Sequence, residues 1–294
     1  MKSGFISLIG RPNVGKSTLI NSIIGSKVAI VSKKAQTTRN IIQGIYTDSE
    51  AQMVFVDTPG IHKPNDKLGQ YLNKQAYYSL ADSDVILFLI DITSEVGKGD
   101  KFVLEKIKEV KKPVILIINK IDKVSKESLI KKIIDYQSLY DFAEIIPLSA
   151  LKKNNIKELI KVLKTYLKDE IKYYDDDQIT NRSIKFLISE IIREKVFNLT
   201  EQEVPHSVTC LVDDITKKNN KLIINASIIV DRESLKKIIL GKQGSKIKKI
   251  GILSRSDIEN LLNREIYLDL HVKTIKNWRD KEKYLSEFGF NEFE

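Results

Sequence analysis

Eight residues, Gly10-Arg-Pro-Asn-Val-Gly-Lys-Ser17, constrain this chain more than any other stretch. They stand between the apolar run Phe5–Ile9 and the amphipathic segment Lys16–Ile24, so a buried strand turns into a helix through glycine. The spacing GxxxxGK[ST] in that setting forms a loop whose backbone N–H groups wrap phosphate, with the positive end of the helix behind them. Gly10, Arg11, Pro12, Asn13, Val14 and Gly15 supply the loop, Lys16 reaches the outer phosphates, and Ser17 and Thr18 open the helix. The Ser17 hydroxyl is the expected first contact to Mg2+.

The same alternation continues along the chain. Met53–Val56, Val85–Asp91, Val114–Asn119 and Glu144–Leu148 read as further buried strands, with Lys101–Val110, Glu127–Tyr140 and Lys157–Lys168 as helices. Strands alternating with helices imply an α/β domain over 1–170, with a mainly parallel sheet and helices on both faces. Ligands in such sheets sit beyond the carboxyl ends of the strands. Residues 171–181 are polar, include Asp175-Asp176-Asp177, and read as a solvated linker. From 182 to 294 the pattern changes. A helical stripe of Ile184, Leu187, Ile188, Ile191, Ile192 and Val196 precedes two strands, Ser207–Asp213 and Lys221–Val230. Helices Glu233–Leu240 and Ser245–Asn263 flank Gly241-Lys-Gln-Gly244, followed by a strand, Glu265–Val272, and a last helix around Asn277–Phe288. This is a smaller α+β domain.

Composition narrows the class. With 42% hydrophobic residues among 294, the chain can bury two cores, which excludes disorder as its dominant state. The longest purely apolar run, Val85–Ile90, falls far short of the roughly 20 residues that span a bilayer. A single cysteine, Cys210, excludes an internal disulfide and a zinc site built on several cysteines. No signal pattern precedes the strand at Phe5, and a reducing cytoplasm is the expected home.

Three further elements follow strands in an order that fits a nucleotide. Asp57-Thr58-Pro59-Gly60 offers a carboxylate for a second Mg2+ contact and a glycine where backbone nears a γ-phosphate. Asn119-Lys120-Ile121-Asp122 ends in a carboxylate that can accept from guanine N1–H and N2–H2, a donor pair adenine lacks. Ser149-Ala150-Leu151 follows the next strand, where a backbone N–H can meet guanine O6. Between the glycine-rich loop and Asp57 lies Gln36-Thr37-Thr38-Arg39, from which Thr37 or Thr38 is expected to contact Mg2+ and the γ-phosphate when triphosphate is bound. The set reads as a GTP/GDP site with Mg2+. Lys16, Thr38, Asp57 and Gly60 serve the chemistry, and Ser17, Asp57 and one of the two threonines serve the metal. Ile61 stands where Ras-like proteins carry a water-orienting glutamine, so slow intrinsic hydrolysis is expected. Asn13 can either hold a K+ that offsets transition-state charge or simply cap the loop.

The formal charge of +10 arises from 49 basic against 39 acidic residues, and its distribution is informative. Ser234–Ser256 holds six lysines and one arginine with no acid. A helix, a GxxG turn and a second helix on a three-stranded sheet can clamp about four nucleotides of single-stranded RNA. Gly241, Lys242, Gln243, Gly244, Lys246, Lys248 and Lys249 are the expected contacts, glycine for close approach and lysine for phosphate.

Beyond these shared elements the chain resembles the bacterial Era GTPases, in the TrmE–Era branch of translation-related GTPases. The resemblance rests on Asp57-Thr-Pro-Gly-Ile-His-Lys-Pro64 with Leu68-Gly69, on Ile192-Arg-Glu-Lys195 with Glu203-Val-Pro-His-Ser207, and on Leu240-Gly-Lys-Gln-Gly-Ser-Lys-Ile-Lys-Lys249. It covers essentially the whole chain, and Gln243 departs where the family often carries glycine. The resemblance implies an α/β P-loop GTPase domain followed by a type II KH domain. It implies GTP hydrolysis, binding to the 3′ end of 16S rRNA, and a role in 30S subunit assembly. Peripheral association with the inner membrane is also implied, and a monomer is expected. Two rival readings are a nucleotide-gated binding module with negligible turnover and a membrane-associated signalling GTPase whose basic block meets lipid.

Overall fold

A computed structural model of the chain describes residues 1–32, 38–59, 66–201, 204–218 and 221–290. It divides into two compact units, Met1–Pro64 with Leu72–Asn181, and Asn65–Tyr71 with Arg182–Glu294. Along the first part of the chain run β1 (Lys2–Ile9), α1 (Lys16–Ile24), β2 (Ile42–Thr47), β3 (Ala51–Asp57) and α2 (Lys67–Ala81). They are followed by β4 (Val85–Asp91), α3 (Lys98–Lys108), β5 (Val114–Asn119), α4 (Lys126–Gln137), β6 (Glu144–Pro147) and α5 (Ile156–Tyr166).

The six strands form one sheet in the order β2-β3-β1-β4-β5-β6, parallel except for β2. Side chains alternate across a strand, and here both faces are apolar. Val85, Leu87 and Leu89 of β4 pack into a core with α1 and α5, while Ile86, Phe88 and Ile90 pack into a second core with α3 and with Ala76 and Leu80 of α2. Helices therefore cover both sides. Parallel register sets Leu8 beside Asp57, Asp91 beside Asn119, and Ile118 beside Pro147. The loops that follow these strands consequently open at one edge.

Two elements, β2 and α2, escape a reading of apolar periodicity. Gly44 interrupts β2 because α1 passes close by: a Cβ there would lie 2.6 Å from Ile20 Cγ2. In α2 the apolar positions Leu72, Ala76 and Leu80 are diluted by polar neighbours such as the buried Gln75. The stretch read as a linker is hydrogen-bonded along the first unit. Ser3 Oγ donates to Ile171 O at 2.6 Å and Ile45 N to Ile179 O at 2.9 Å. Gln52 Oε1 accepts from Tyr173 N at 2.9 Å and Tyr174 N at 3.0 Å. Asp175, Asp176 and Asp177 stay exposed.

The second unit holds α6 (Ile184–Leu199), α7 (Val204–Ser207), β7 (Val208–Lys218), β8 (Lys221–Val230), α8 (Glu233–Leu240), α9 (Ser245–Leu262), β9 (Ile266–Thr274) and α10 (Glu282–Glu287). Its sheet has the order β7-β8-β9, with β8 antiparallel to β7 and parallel to β9. Ile192 and Val196 of α6, Ile228 of β8, Ile239 of α8 and Ile250 and Ile258 of α9 form its core, to which Cys210 adds a small buried thiol. Strand β7 continues past Asp213 through a bulge between Val212 and Asp214, because its ladder with β8 persists. The expected final helix is divided into a short turn, Trp278–Asp280, and α10. Trp278 is fully buried there, with Nε1 donating to Ser207 O at 3.2 Å.

Candidate functional site

The turn from β1 into α1 is built around Asn119. Gly15 takes a left-handed φ of 105°, and a Cβ at that position would collide with Asn119 Nδ2, so only glycine fits. That nitrogen donates to Val14 O at 2.8 Å. Asn119 Oδ1 accepts from Lys120 N at 2.8 Å and Ala150 N at 3.0 Å. Lys120 Nζ donates to Asn13 O at 2.9 Å and to Asp91 Oδ2 at 2.6 Å. One side chain thus ties the glycine-rich turn to the loops after β5 and β6, and its neighbour ties that turn to β4. Burial works to raise the Asp91 carboxyl, but hydrogen bonds from Lys120 and Thr93 hold it below its ordinary range.

At the head of α1 three oxygen groups converge. Ser17 Oγ donates to Asp57 Oδ2 at 2.6 Å, Thr38 Oγ1 donates to the same oxygen at 3.1 Å, and the two hydroxyls are 3.1 Å apart. The other carboxylate oxygen, Asp57 Oδ1, is buried with no hydrogen-bond partner. Lys16 is buried beside them, its Nζ donating to Gly10 O at 3.2 Å. Burial pushes the Lys16 ammonium down, opposed by attraction to Asp57. Burial pushes the Asp57 carboxyl up, opposed by Lys16 and the two hydroxyls. A buried ammonium held mainly by carbonyls suits an anionic ligand. A buried carboxylate with an orphaned oxygen and two hydroxyls suits a hard divalent cation such as Mg2+, which prefers oxygen ligands.

On the opposite side of the loop, Ser149 Oγ donates to Asp122 Oδ1 at 2.5 Å, and the same hydroxyl accepts from Lys152 N at 3.2 Å. This fixes the orientation of the Asp122 carboxylate. Ala150 N–H is committed to Asn119, while Leu151 is exposed. Not every residue of these elements turns inward. Thr58 is buried and donates to Leu8 O at 2.7 Å, Pro59 is buried, and Pro12 and Thr18 flank the loop half-buried. Arg11 points toward α3, with Nη1 3.2 Å from Asp100 Oδ2. Thr37, Gly60 and Ile61 lie outside the described residues. Asp91 and Asp100 were not singled out from sequence. Asp91 was findable as a carboxylate ending a parallel strand, while Asp100 carries no local signal.

In the second unit α8 stops at Gly241, whose φ is 71°. A Cβ there would stand 2.7 Å from Lys246 Cβ and 3.0 Å from Lys246 N, so the turn packs directly on the first turn of α9. Gln243 adopts a left-handed φ of 52°, less favourable than for the glycine often found there, and Gly244 follows at 75°. Lys242, Lys248 and Lys249 are exposed and Lys246 is half-buried. None of the four forms an ion pair with an acid among the described residues.

The strand order, the glycine turn heading α1 and the strand-end carboxylates define a P-loop protein of the guanine-nucleotide-binding class, joined to a KH-type α+β unit. Residues 5–120 match a family model described as a 50S ribosome-binding GTPase, and residues 203–279 match a KH domain model. A crystal structure of an Aquifex aeolicus Era variant bound to GDP and AlF4− is similar over the whole length. Identity is 41%, coverage is 99% of both chains, and the TM-score is 0.95. A structure of Era in complex with MgGDPNP and nucleotides 1506–1542 of 16S ribosomal RNA is similar to the same degree, at 41% identity, 99% of both chains and a TM-score of 0.95. The chain belongs to the Era family of GTPases. It binds and hydrolyses GTP, with Mg2+ as its metal cofactor.

Proposed function

We propose that this GTPase is an assembly factor of the small ribosomal subunit, binding the 3′ end of 16S rRNA through the Gly241–Gly244 turn. The observation that carries the reading is the RNA complex of a relative 41% identical over 99% of this chain. The left-handed glycines and the lysines around them, in an acid-free block, support it from this chain's own residues. Residues 1–170 carry the nucleotide and 182–294 the RNA, with 171–181 joining them. The triphosphate-bound form binds RNA more tightly than the diphosphate-bound form, and hydrolysis releases it.

In the nucleotide site, backbone N–H groups from Gly10 to Gly15 and the N-terminus of α1 hold the phosphates, and Lys16 meets their charge. Ser17, Thr38 and Asp57 would hold Mg2+, which when bound neutralises charge between the β- and γ-phosphates. Asp122, oriented by Ser149, accepts from guanine N1–H and N2–H2. Because Ala150 N–H is spent on Asn119, the Leu151 N–H is left to meet O6. Ile61 supplies no water-orienting group, which makes intrinsic turnover slow. Asn13, at the exposed crest of the loop with a φ of 66°, is the residue that would face a K+ ion. Exchange of potassium for sodium in the assay reads out that contact, and an unchanged rate rejects it. A monomeric state and peripheral attachment to the inner membrane belong to the same reading. The charge of +10 supports the membrane contact, and no described helix is long and apolar enough to cross a bilayer.

Carboxylates placed in the turn separate RNA from lipid as the target of the basic block. With Gly241→Asp and Gly244→Asp together, affinity for a single-stranded copy of the 16S 3′ end falls at least about a hundredfold, since like charges cost several kcal/mol. Binding to anionic vesicles is retained. Loss of vesicle binding with RNA affinity untouched would reverse the assignment in favour of a membrane GTPase.

A further inference from the structure

The second residue of the glycine-rich loop, Arg11, lays its side chain against the start of α3. A Cβ on Gly97 would lie 2.8 Å from Arg11 Nη1, and one on Gly99 would lie 2.9 Å from Arg11 Cδ. These two glycines, at the start of α3, are the floor on which the arginine rests. At the end of that floor Arg11 Nη1 lies 3.2 Å from Asp100 Oδ2. Asp100 is only 2% exposed. Its Oδ2 also accepts the Gly97 N–H at 2.9 Å, and the Tyr136 phenol of α4 interacts electrostatically with the same carboxylate.

A buried carboxylate is tolerated when it is paired and hydrogen-bonded, and here the pairing cation comes from the loop itself. The rest of the loop has other anchors. Gly15 onward is carried by α1, and the Asn13 and Val14 carbonyls are held by Lys120 and Asn119. Ahead of them, the Gly10 and Arg11 carbonyls accept from Lys16 Nζ at 3.2 and 3.5 Å, and the Arg11 side chain adds a tether to α3.

We propose that Arg11 is a positioning residue for GTP hydrolysis. Seated on Gly97 and Gly99 and paired with Asp100, it holds the leading half of the phosphate loop against the γ-phosphate end of the nucleotide. The inference rests on the nucleotide-site reading given above. Phosphoryl transfer is catalysed by placement and fixed dipoles, so a small displacement of loop N–H groups lowers the rate before it lowers affinity.

Arg11→Met and the double variant Arg11→Met/Asp100→Asn, compared with wild type, separate placement from stability. The single variant leaves Asp100 buried without its cation and lowers the thermal midpoint of the nucleotide-free chain, whereas the double variant removes the lone charge and recovers the midpoint. In both, kcat falls between about ten- and a hundredfold, as expected for displaced catalytic groups. The Kd for GDP stays within about threefold, because the lost interaction matters mainly in the transition state. A kcat that returns with the midpoint in the double variant would overturn the proposal. So would a single variant within about twofold of wild type, or a loss of GDP affinity matching the loss of kcat. A wild-type chain that neither binds nor hydrolyses GTP would instead overturn the nucleotide-site reading beneath it.

Discussion

In the proposed nucleotide site Asp122 carries the choice of base, and its partner Ser149 holds its carboxylate in place. A carboxylate with one oxygen fixed by a hydroxyl at 2.5 Å presents the other in a set direction. Asp122→Asn replaces an acceptor by an amide, which suits the 2-oxo group of xanthine and opposes the guanine amine. GTP affinity should fall at least about a hundredfold and xanthosine triphosphate should become a substrate, because a polar site rejects a ligand that leaves its groups unpaired. Competition binding with the two triphosphates checks this, and an unaltered preference for GTP contradicts the base-reading role. Much of the site was legible because its residues fall in short runs after strands. The sequence left Thr37 and Thr38 equivalent; in the fold the Thr38 hydroxyl meets Asp57 at 3.1 Å. The Arg11–Asp100 pair was invisible, since its partners stand on separate elements with no spacing rule to join them.

The hairpin of β2 and β3 has a stability that answers to pH through Asp48. Asp48 Oδ1 accepts the N–H groups of Glu50 and Ala51 at 2.9 Å each, while Oδ2 pairs with Lys164 at 2.7 Å and accepts from Tyr46 at 3.0 Å. Burial works to raise the Asp48 carboxyl, but Lys164, the two N–H groups and the Tyr46 hydroxyl bring it from 3.8 to about 2. A depressed folded value means the contribution is complete above pH 3.8 and is lost as pH falls through about 2. Thermal midpoints of wild type and Asp48→Asn should therefore converge over that interval. Parallel curves across it would contradict the assignment. Strands buried on both faces, such as β4 and β5, were plain as continuous apolar runs. The edge strand β2 was not, because Gly44 gives up its side chain to let α1 approach. The last helix was overestimated because Trp278, Phe288 and Phe290 make an aromatic cluster that stops the chain from running straight.

In the proposed reading the whole molecule joins a site for a small polyphosphate to a surface for a long one. Sequence alone points to candidates for both, because each reading depends on glycines and cations at fixed spacing, Gly10 to Ser17 in one unit and Gly241 to Lys249 in the other. Whether nucleotide governs RNA is a property of the two together and is not written in either motif. The most direct measurement is the affinity of the full chain for a single-stranded RNA copying the 3′ end of 16S rRNA. It is made with a non-hydrolysable GTP analogue and with GDP at one fixed salt concentration, since phosphate contacts are salt-dependent. The account predicts tighter binding with the analogue by about fivefold or more, the lower range of ordinary coupling between sites. Equal affinity in the two states would contradict nucleotide control, and no affinity in either would contradict the RNA-binding role itself.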